Sequence, residues 1–141
     1  MNIQYVWFIM INITMDNEFD QWNIEKKLLN ENICKINFKE KDIFFIKMWK
    51  NIRYEQNWKW PKFLRPVLVI KKFNKDIFWW LALTSKQKDW LYYYSFFVDN
   101  KPQCAILSQI RLYDKNRLYT KIWMISENDF VKIKEKIKSI F

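Results

Sequence analysis

The chain has no glycine and no histidine, three prolines and two cysteines among 141 residues. No apolar run approaches the ~20 residues that a membrane helix requires. Each shortage closes off some chemistry. Without histidine there is no imidazole acid or base, no Ser-His or Cys-His nucleophile pair, and no access to the commonest metal ligand. Without glycine there is no phosphate-cradling loop of the Walker or dinucleotide type. Cys34 and Cys104 are too few for a disulfide scaffold and suit free thiols in a reducing cytoplasm. The early apolar stretch over residues 5–13 is short and carries Asn12. It also lacks a basic leader and a small-residue cleavage site, so it reads as neither a membrane span nor a signal peptide. A chain of this length would ordinarily hold about ten glycines at ~7% usage. This one holds none beside nine tryptophans.

What is present points to one packed domain. Half of the residues are hydrophobic and 20% are aromatic, and no low-complexity tract or linker divides the chain. Lysine and arginine total 25 against 15 acidic residues, a net charge of +10. That excess suits a polyanionic partner, and scattered lysines also serve solubility. Charge alone is a weak case for a membrane-surface protein, and no membrane partner is expected.

The hydrophobic period changes along the chain. Asp16 or Asn17 can cap a helix reaching about residue 30, with Phe19, Trp22, Leu28 and Leu29 roughly on one face. Met15 stands just before it, so residues 1–14 are expected to be an extension ahead of the natural start. From residue 42 the pattern is that of strands, over 42–48, 66–73, 77–84, 91–97 and 103–108, with a last one over 121–125. These segments are rich in Ile, Val, Phe and Tyr, and turns such as Asn74-Lys75-Asp76 and Asp99-Asn100-Lys101-Pro102 separate them. Residues 110–119 read as a compact charged turn in which Asp114 pairs with Arg111 or Arg117. Ser126 with Asp129 resembles a capping box opening a final helix, whose stripe is Phe130, Ile133, Ile137 and Phe141. The whole predicts a mainly β, α+β domain: a small barrel with an N-terminal and a C-terminal helix.

Four blocks then stand in one order: Asn51-Ile52-Arg53-Tyr54-Glu55-Gln56-Asn57; Phe63-Leu64-Arg65-Pro66-Val67; Leu83-Thr84-Ser85-Lys86; and Ile106-Leu107-Ser108-Gln109-Ile110-Arg111 with Asp114 and Arg117-Leu118. Together they resemble the MazF/PemK toxins of type II toxin-antitoxin systems, from about residue 39 to residue 141. Residues 1–38 are then an N-terminal extension holding one amphipathic helix. The resemblance implies an SH3-like barrel of the MazF/PemK/CcdB type, a homodimer, and a cytoplasmic endoribonuclease that cuts single-stranded RNA without a metal or cofactor and is restrained by an antitoxin protein. The alternative from another class is a non-catalytic interaction protein on the same fold, either a CcdB-like gyrase inhibitor or an RNA-binding module.

On spacing alone Arg65 is a solvated cation at a strand entry, and Thr84 is a residue of good strand propensity. The resemblance makes both catalytic. Attack of a 2′-hydroxyl on its own phosphodiester builds negative charge on pentacoordinate phosphorus, and a planar, permanently charged guanidinium can hold two of its oxygens. It likewise implies that Glu55, Gln56, Ser85, Lys86, Gln109 and Arg111 contact RNA. Lys59, Lys62, Lys71, Lys72 and Lys88 could extend a phosphate-attracting surface with Lys86. Trp58-Lys59-Trp60 interleaves rings and charge as a base-stacking platform would.

The departures from the family pattern share a direction. Trp49, Trp58, Trp60, Trp80, Trp90 and Trp123 stand where the family usually shows glycine, and Arg53 stands at another such place. A gene from a bacterium that reads UGA as glycine, translated with UGA as tryptophan, would explain the tryptophans. Trp22 and Trp79 fit their segments as tryptophan.

Overall fold

The computed structural model describes residues 17–48 and 64–141. The expectations for residues 1–14, Trp49, Arg53, Glu55, Gln56, Trp58, Lys59, Trp60 and Lys62 lie outside the described residues. Helix α1 (Asn17–Glu31) is followed by strands β1 (Asp42–Lys47), β2 (Leu64–Lys72), β3 (Ile77–Thr84), β4 (Tyr93–Val98) and β5 (Lys101–Asp114). A short 3-10 turn (Lys115–Arg117), β6 (Leu118–Met124) and helix α2 (Glu127–Ile140) complete the chain. The architecture is therefore the expected α+β one. The six strands form one sheet in the order β4-β5-β3-β2-β1-β6, with every neighbour antiparallel. Breaks in register occur in the β1–β6, β2–β3 and β3–β5 ladders, and breaks of this kind bend and coil a sheet.

Strand side chains alternate between two sides, and both sides of this sheet are apolar. Ile43, Leu68, Leu81 and Ala105 share one side with Phe130 and Ile133 of α2. Phe44, Val67, Val69, Trp80 and Ala82 share the other with Phe38, and Cys34 and Ile36 pack against them. A sheet covered twice explains why the central strands read as nearly continuous apolar runs.

Helix α2 begins as its sequence predicts. The Asp129 N–H donates to Ser126 Oγ at 3.2 Å, and Ser126 Oγ donates back to Asp129 Oδ2 at 2.8 Å. Phe141 falls outside the expected stripe and is fully exposed, because the helix ends at Ile140. Among the residues of α1 whose side chains are described, only Trp22 is buried, with Leu29 half-buried, whereas Phe19 and Leu28 are exposed. Trp22 and Leu29 are seven residues apart and lie along one line of a 3.6-residue helix; Leu28 is about a third of a turn away.

The positive-φ positions among the described residues are Lys41, Asp99 and Asn100. Asp99 and Asn100 make the two-residue β4–β5 hairpin, which needs φ above zero at both places and takes Asp and Asn readily. Trp80, Trp90 and Trp123 do not occupy such positions, so backbone conformation does not demand glycine there. The strain at Trp80 is of another kind. Its ring is fully buried, and its indole N–H has no hydrogen-bond acceptor among the described residues.

Candidate active site

Arg65 is the second residue of β2, paired across β1 with Ile46, and only 4% exposed. Pro66 follows it, so the strand lacks one donor where it enters the sheet. On the other side of β2, Val67 pairs with Ala82 of β3. Continuing that register two residues toward the start of β2 sets Arg65 level with Thr84, the last residue of β3. Alternation puts both side chains on the side of the sheet that holds Val67 and Ala82. Arg111 of β5 pairs with Trp80 of β3 and therefore faces the same side. Two arginines and a threonine from three adjacent strands thus converge on one side of the sheet.

The electrostatics follow from that convergence. Burial, and secondarily the positive charge of Arg111, pulls the Arg65 guanidinium well below its ordinary value, down to about 10. It remains a cation at neutral pH, held where water screens it poorly and where a second cation already stands. Such a place favours an anion more than an exposed arginine would. Thr84 is half-buried, and its Oγ1 accepts the Lys86 N–H at 3.3 Å, closing a tight turn that leaves Ser85 and Lys86 exposed beside it. A threonine hydroxyl that accepts there still has its proton to donate to a phosphate oxygen.

Gln109 is half-buried at a break in β5. Leu81 faces Ile110, but Leu83 faces Ala105, so several residues of β5 stand against Ala82 alone. Bulges of this kind re-aim side chains at the rims of sites. The expected charged turn over residues 110–119 is corrected: β5 runs on to Asp114, and Gln109 and Arg111 are strand residues. Asp114 pairs with neither arginine. It caps the 3-10 turn by accepting the Asn116 N–H at 2.8 Å. Arg117 is structural, lying 4.1 Å above the Tyr113 ring and 5.8 Å from that of Trp22, and donating to the Lys47 carbonyl at 3.4 Å.

The expected lysine surface divides. Lys86 and Lys88 lie in the segment after Thr84, whereas Lys71 and Lys72 are at the opposite end of β2 from Arg65, about 20 Å along the strand. Lys72 is also engaged, donating to the Phe38 carbonyl at 2.9 Å. An open pocket of about 450 Å³, lined by Gln87, Lys88, Asp89, Tyr93, Tyr94, Ser95 and Lys136, lies beyond Lys86. Lys88 Nζ is 4.8 Å above the Tyr93 ring there. Sequence reasoning passed over these tyrosines, although the Tyr92-Tyr93-Tyr94 run just after Lys86 and Lys88 is an aromatic-basic juxtaposition. Among the described residues no three Cys, Asp or Glu side chains stand together as a metal would need.

Residues 39–141 match the family described as PemK-like, MazF-like toxin of type II toxin-antitoxin system. The chain belongs to that family. As a type II toxin it implies a cognate antitoxin, as the sequence led us to expect. Comparison of the toxin with curated proteins gives no match. Among solved structures, the Mycobacterium tuberculosis toxin MazF-mt6 superposes on it with a TM-score of 0.53 at 12% identity, over 70% of this chain and 93% of its own. Another, described as the crystal structure of an Mtb toxin, gives a TM-score of 0.49 at 14% identity, over 55% of this chain and 92% of its own. The first of these shows that the toxin has a MazF-like fold. No described helix of the toxin is long and apolar enough to cross a membrane.

Proposed function

We propose that this toxin is an endoribonuclease that cuts single-stranded RNA at a short sequence motif and is neutralised in the cytoplasm by its antitoxin. One observation carries the reading. Arg65, buried and cationic beside Arg111, is set level with Thr84, and three polar groups of this kind on adjacent strands suit a phosphodiester better than a neutral ligand.

In this reading the substrate's own 2′-oxygen forms a bond to phosphorus as its proton departs. The bond from phosphorus to the 5′-oxygen breaks, and that oxygen gains a proton. The products are a 2′,3′-cyclic phosphate and a 5′-hydroxyl. Arg65 holds two non-bridging oxygens as negative charge grows on them, and Thr84 donates to one of them. Arg111 adds field strength, while Ser85, Lys86 and Gln109 guide the flanking nucleotides. Charge stabilisation by fixed donors supplies the rate, as histidine is absent from the chain. Glu55 and Gln56 are assigned RNA contacts from the family resemblance alone, and two copies of the chain form the working dimer.

The test is cleavage of a single-stranded RNA by purified protein carrying Arg65→Ala or Thr84→Ala. Each should lower the rate by about 10²- to 10³-fold, with Thr84→Ala leaving RNA binding largely intact. Unchanged rates in both variants would remove the nuclease assignment from this site.

A further inference from the structure

Helix α1 lies outside residues 39–141, the part that matches the family, yet it is bound into the domain. Trp22 is 4% exposed. The Asn116 amide holds the end of the helix and the chain leaving it, donating to the Leu29 carbonyl at 3.1 Å and accepting the Cys34 N–H at 3.0 Å. Glu25 Oε2 stands 3.2 Å from Lys47 Nζ. These ties reach two places, the 3-10 turn before β6 and the last residue of β1.

Arg117 joins those two places to each other. Its guanidinium is within cation–π reach of both Tyr113, at 4.1 Å, and Trp22 of α1, at 5.8 Å, and it donates to the Lys47 carbonyl at 3.4 Å. Both ends of this brace bear on the candidate site. Lys47 pairs with Leu64, and Ile46 before it pairs with Arg65. Tyr113 stands two residues beyond Arg111, on the same side of β5, and packs against the core of that side. Arg65 and Arg111 are like charges close enough for one to act on the other, and β3 separates the strands that carry them. Cations in poorly screened surroundings push apart, so their strands need a tie beyond the ladder hydrogen bonds. Arg117 supplies it, running from the strand beside Arg65 to the strand that bears Arg111. Direct contact with RNA suits this residue less well. It lines an open pocket of about 220 Å³ with Lys26, Asn30 and Asp114, but a guanidinium laid on a ring and donating to a carbonyl has less of its fork left for a phosphate.

We propose that Arg117 is a positioning residue for the Arg65–Arg111 pair, and that α1, seated against it through Trp22, is a working part of the nuclease. The proposal rests on the endoribonuclease reading. Undocking of α1 would loosen Arg117 and let the two arginines separate, so cleavage depends on a helix that the matched family domain does not include.

The experiment compares cleavage of a single-stranded RNA by the full chain and by Arg117→Gln, Trp22→Leu and Trp22→Phe, each well below its melting temperature. In Arg117→Gln, kcat should fall at least about tenfold with KM little changed, because a small displacement of fixed donors harms the transition state more than binding. The salt dependence of RNA binding should stay that of the parent, since no phosphate contact is lost. Trp22→Leu should lower kcat in the same way but less, and Trp22→Phe, which restores a ring face, should recover most of that loss. Arg117→Gln added to Arg65→Ala should cost nothing beyond Arg65→Ala alone, as for residues that act as one unit. Ile133→Val, a core change on the α2 side, should lower the melting temperature and leave kcat unchanged. Full kcat in Arg117→Gln, or a loss that adds to that of Arg65→Ala, would overturn the proposal, and so would a kcat that falls equally in Ile133→Val. A raised KM with a reduced salt slope would make Arg117 an RNA contact and overturn it too. Unchanged kcat in Trp22→Leu, or equal loss in Trp22→Leu and Trp22→Phe, would overturn the part given to α1. Arg117→Gln cutting at the full rate beside an inactive Arg65→Ala removes this assignment alone, whereas a parent that cuts no RNA, or Arg65→Ala at the parent's rate, removes the nuclease reading and this assignment with it.

Discussion

Replacing Arg65 with methionine should make the protein more stable and inactive. Arg65 is 4% exposed, and its guanidinium is pulled down to about 10, first through burial and then through Arg111. A fall of that size corresponds to about 3 kcal/mol of unfavourable charge burial. The sign follows from linkage. The folded state binds this proton less tightly than the unfolded one, so the cost is fully present below pH 10 and is relieved as pH rises above about 10. Methionine keeps an apolar stem of similar reach and removes the buried charge and its repulsion with Arg111, while giving up the contacts the guanidinium makes, which offset part of the gain. Allowing for relaxation of the pocket, Arg65→Met should gain about 1–3 kcal/mol at neutral pH. For a chain of this size that is a rise in melting temperature of about 2–10 °C. Thermal unfolding followed by circular dichroism reads it directly, and the gap between variant and parent should hold up to about pH 10 and narrow only above it. A variant that melts several degrees lower would show that the guanidinium is a structural tie, and the argument for a stored positive charge at this site would fail.

Other outcomes follow from the same geometry. Arg65→Lys should cut slowly even near neutrality, because one ammonium cannot span two phosphate oxygens. Burial and Arg111 would pull an ammonium at this place down as well, so its residual activity should fall as pH rises above neutrality, as the pH–rate profile would show. Lys86→Ala or Lys88→Ala should weaken RNA binding and reduce the slope of log affinity against log salt by ~0.7 for each lost phosphate contact. Trp80→Phe removes the buried indole N–H that lacks an acceptor and keeps a ring, so thermal unfolding should show equal or higher stability despite the small loss of volume. In the gene, the codons for Trp49, Trp58, Trp60, Trp80, Trp90 and Trp123 should be mostly TGA, and TGG at those places would end the recoding explanation.

Much of the scaffold was legible because its signals are local. The β3 range of 77–84 follows from its apolar run between two polar turns, and the Ser126 cap from residue spacing alone. The long β5 was not. After Ile110 its residues become charged and aromatic, and alternation looks broken when Arg111 and Tyr113 occupy the inner positions. They do so because one side of that strand faces the candidate site, where Arg111 stands across from Trp80 and Tyr113 packs on the Trp80 ring, 4.9 Å between centroids. The same holds for Arg65. Its residue type was readable and its burial was not, since the neighbours that bury it come from strands distant in sequence. Asp114 shows the converse error, in which a nearby opposite charge suggested an ion pair and a local backbone hydrogen bond claimed the carboxylate instead.

The most direct test of the central claim is the chemistry of the cut ends. Purified protein is incubated with a single-stranded RNA in EDTA, and the products are read by mass spectrometry beside those of Thr84→Ala. The account predicts fragments ending in a 2′,3′-cyclic phosphate and beginning with a 5′-hydroxyl, and no such fragments above background from the variant. Intact RNA, fragments with 3′-hydroxyl ends, or equal cutting by Thr84→Ala would contradict it.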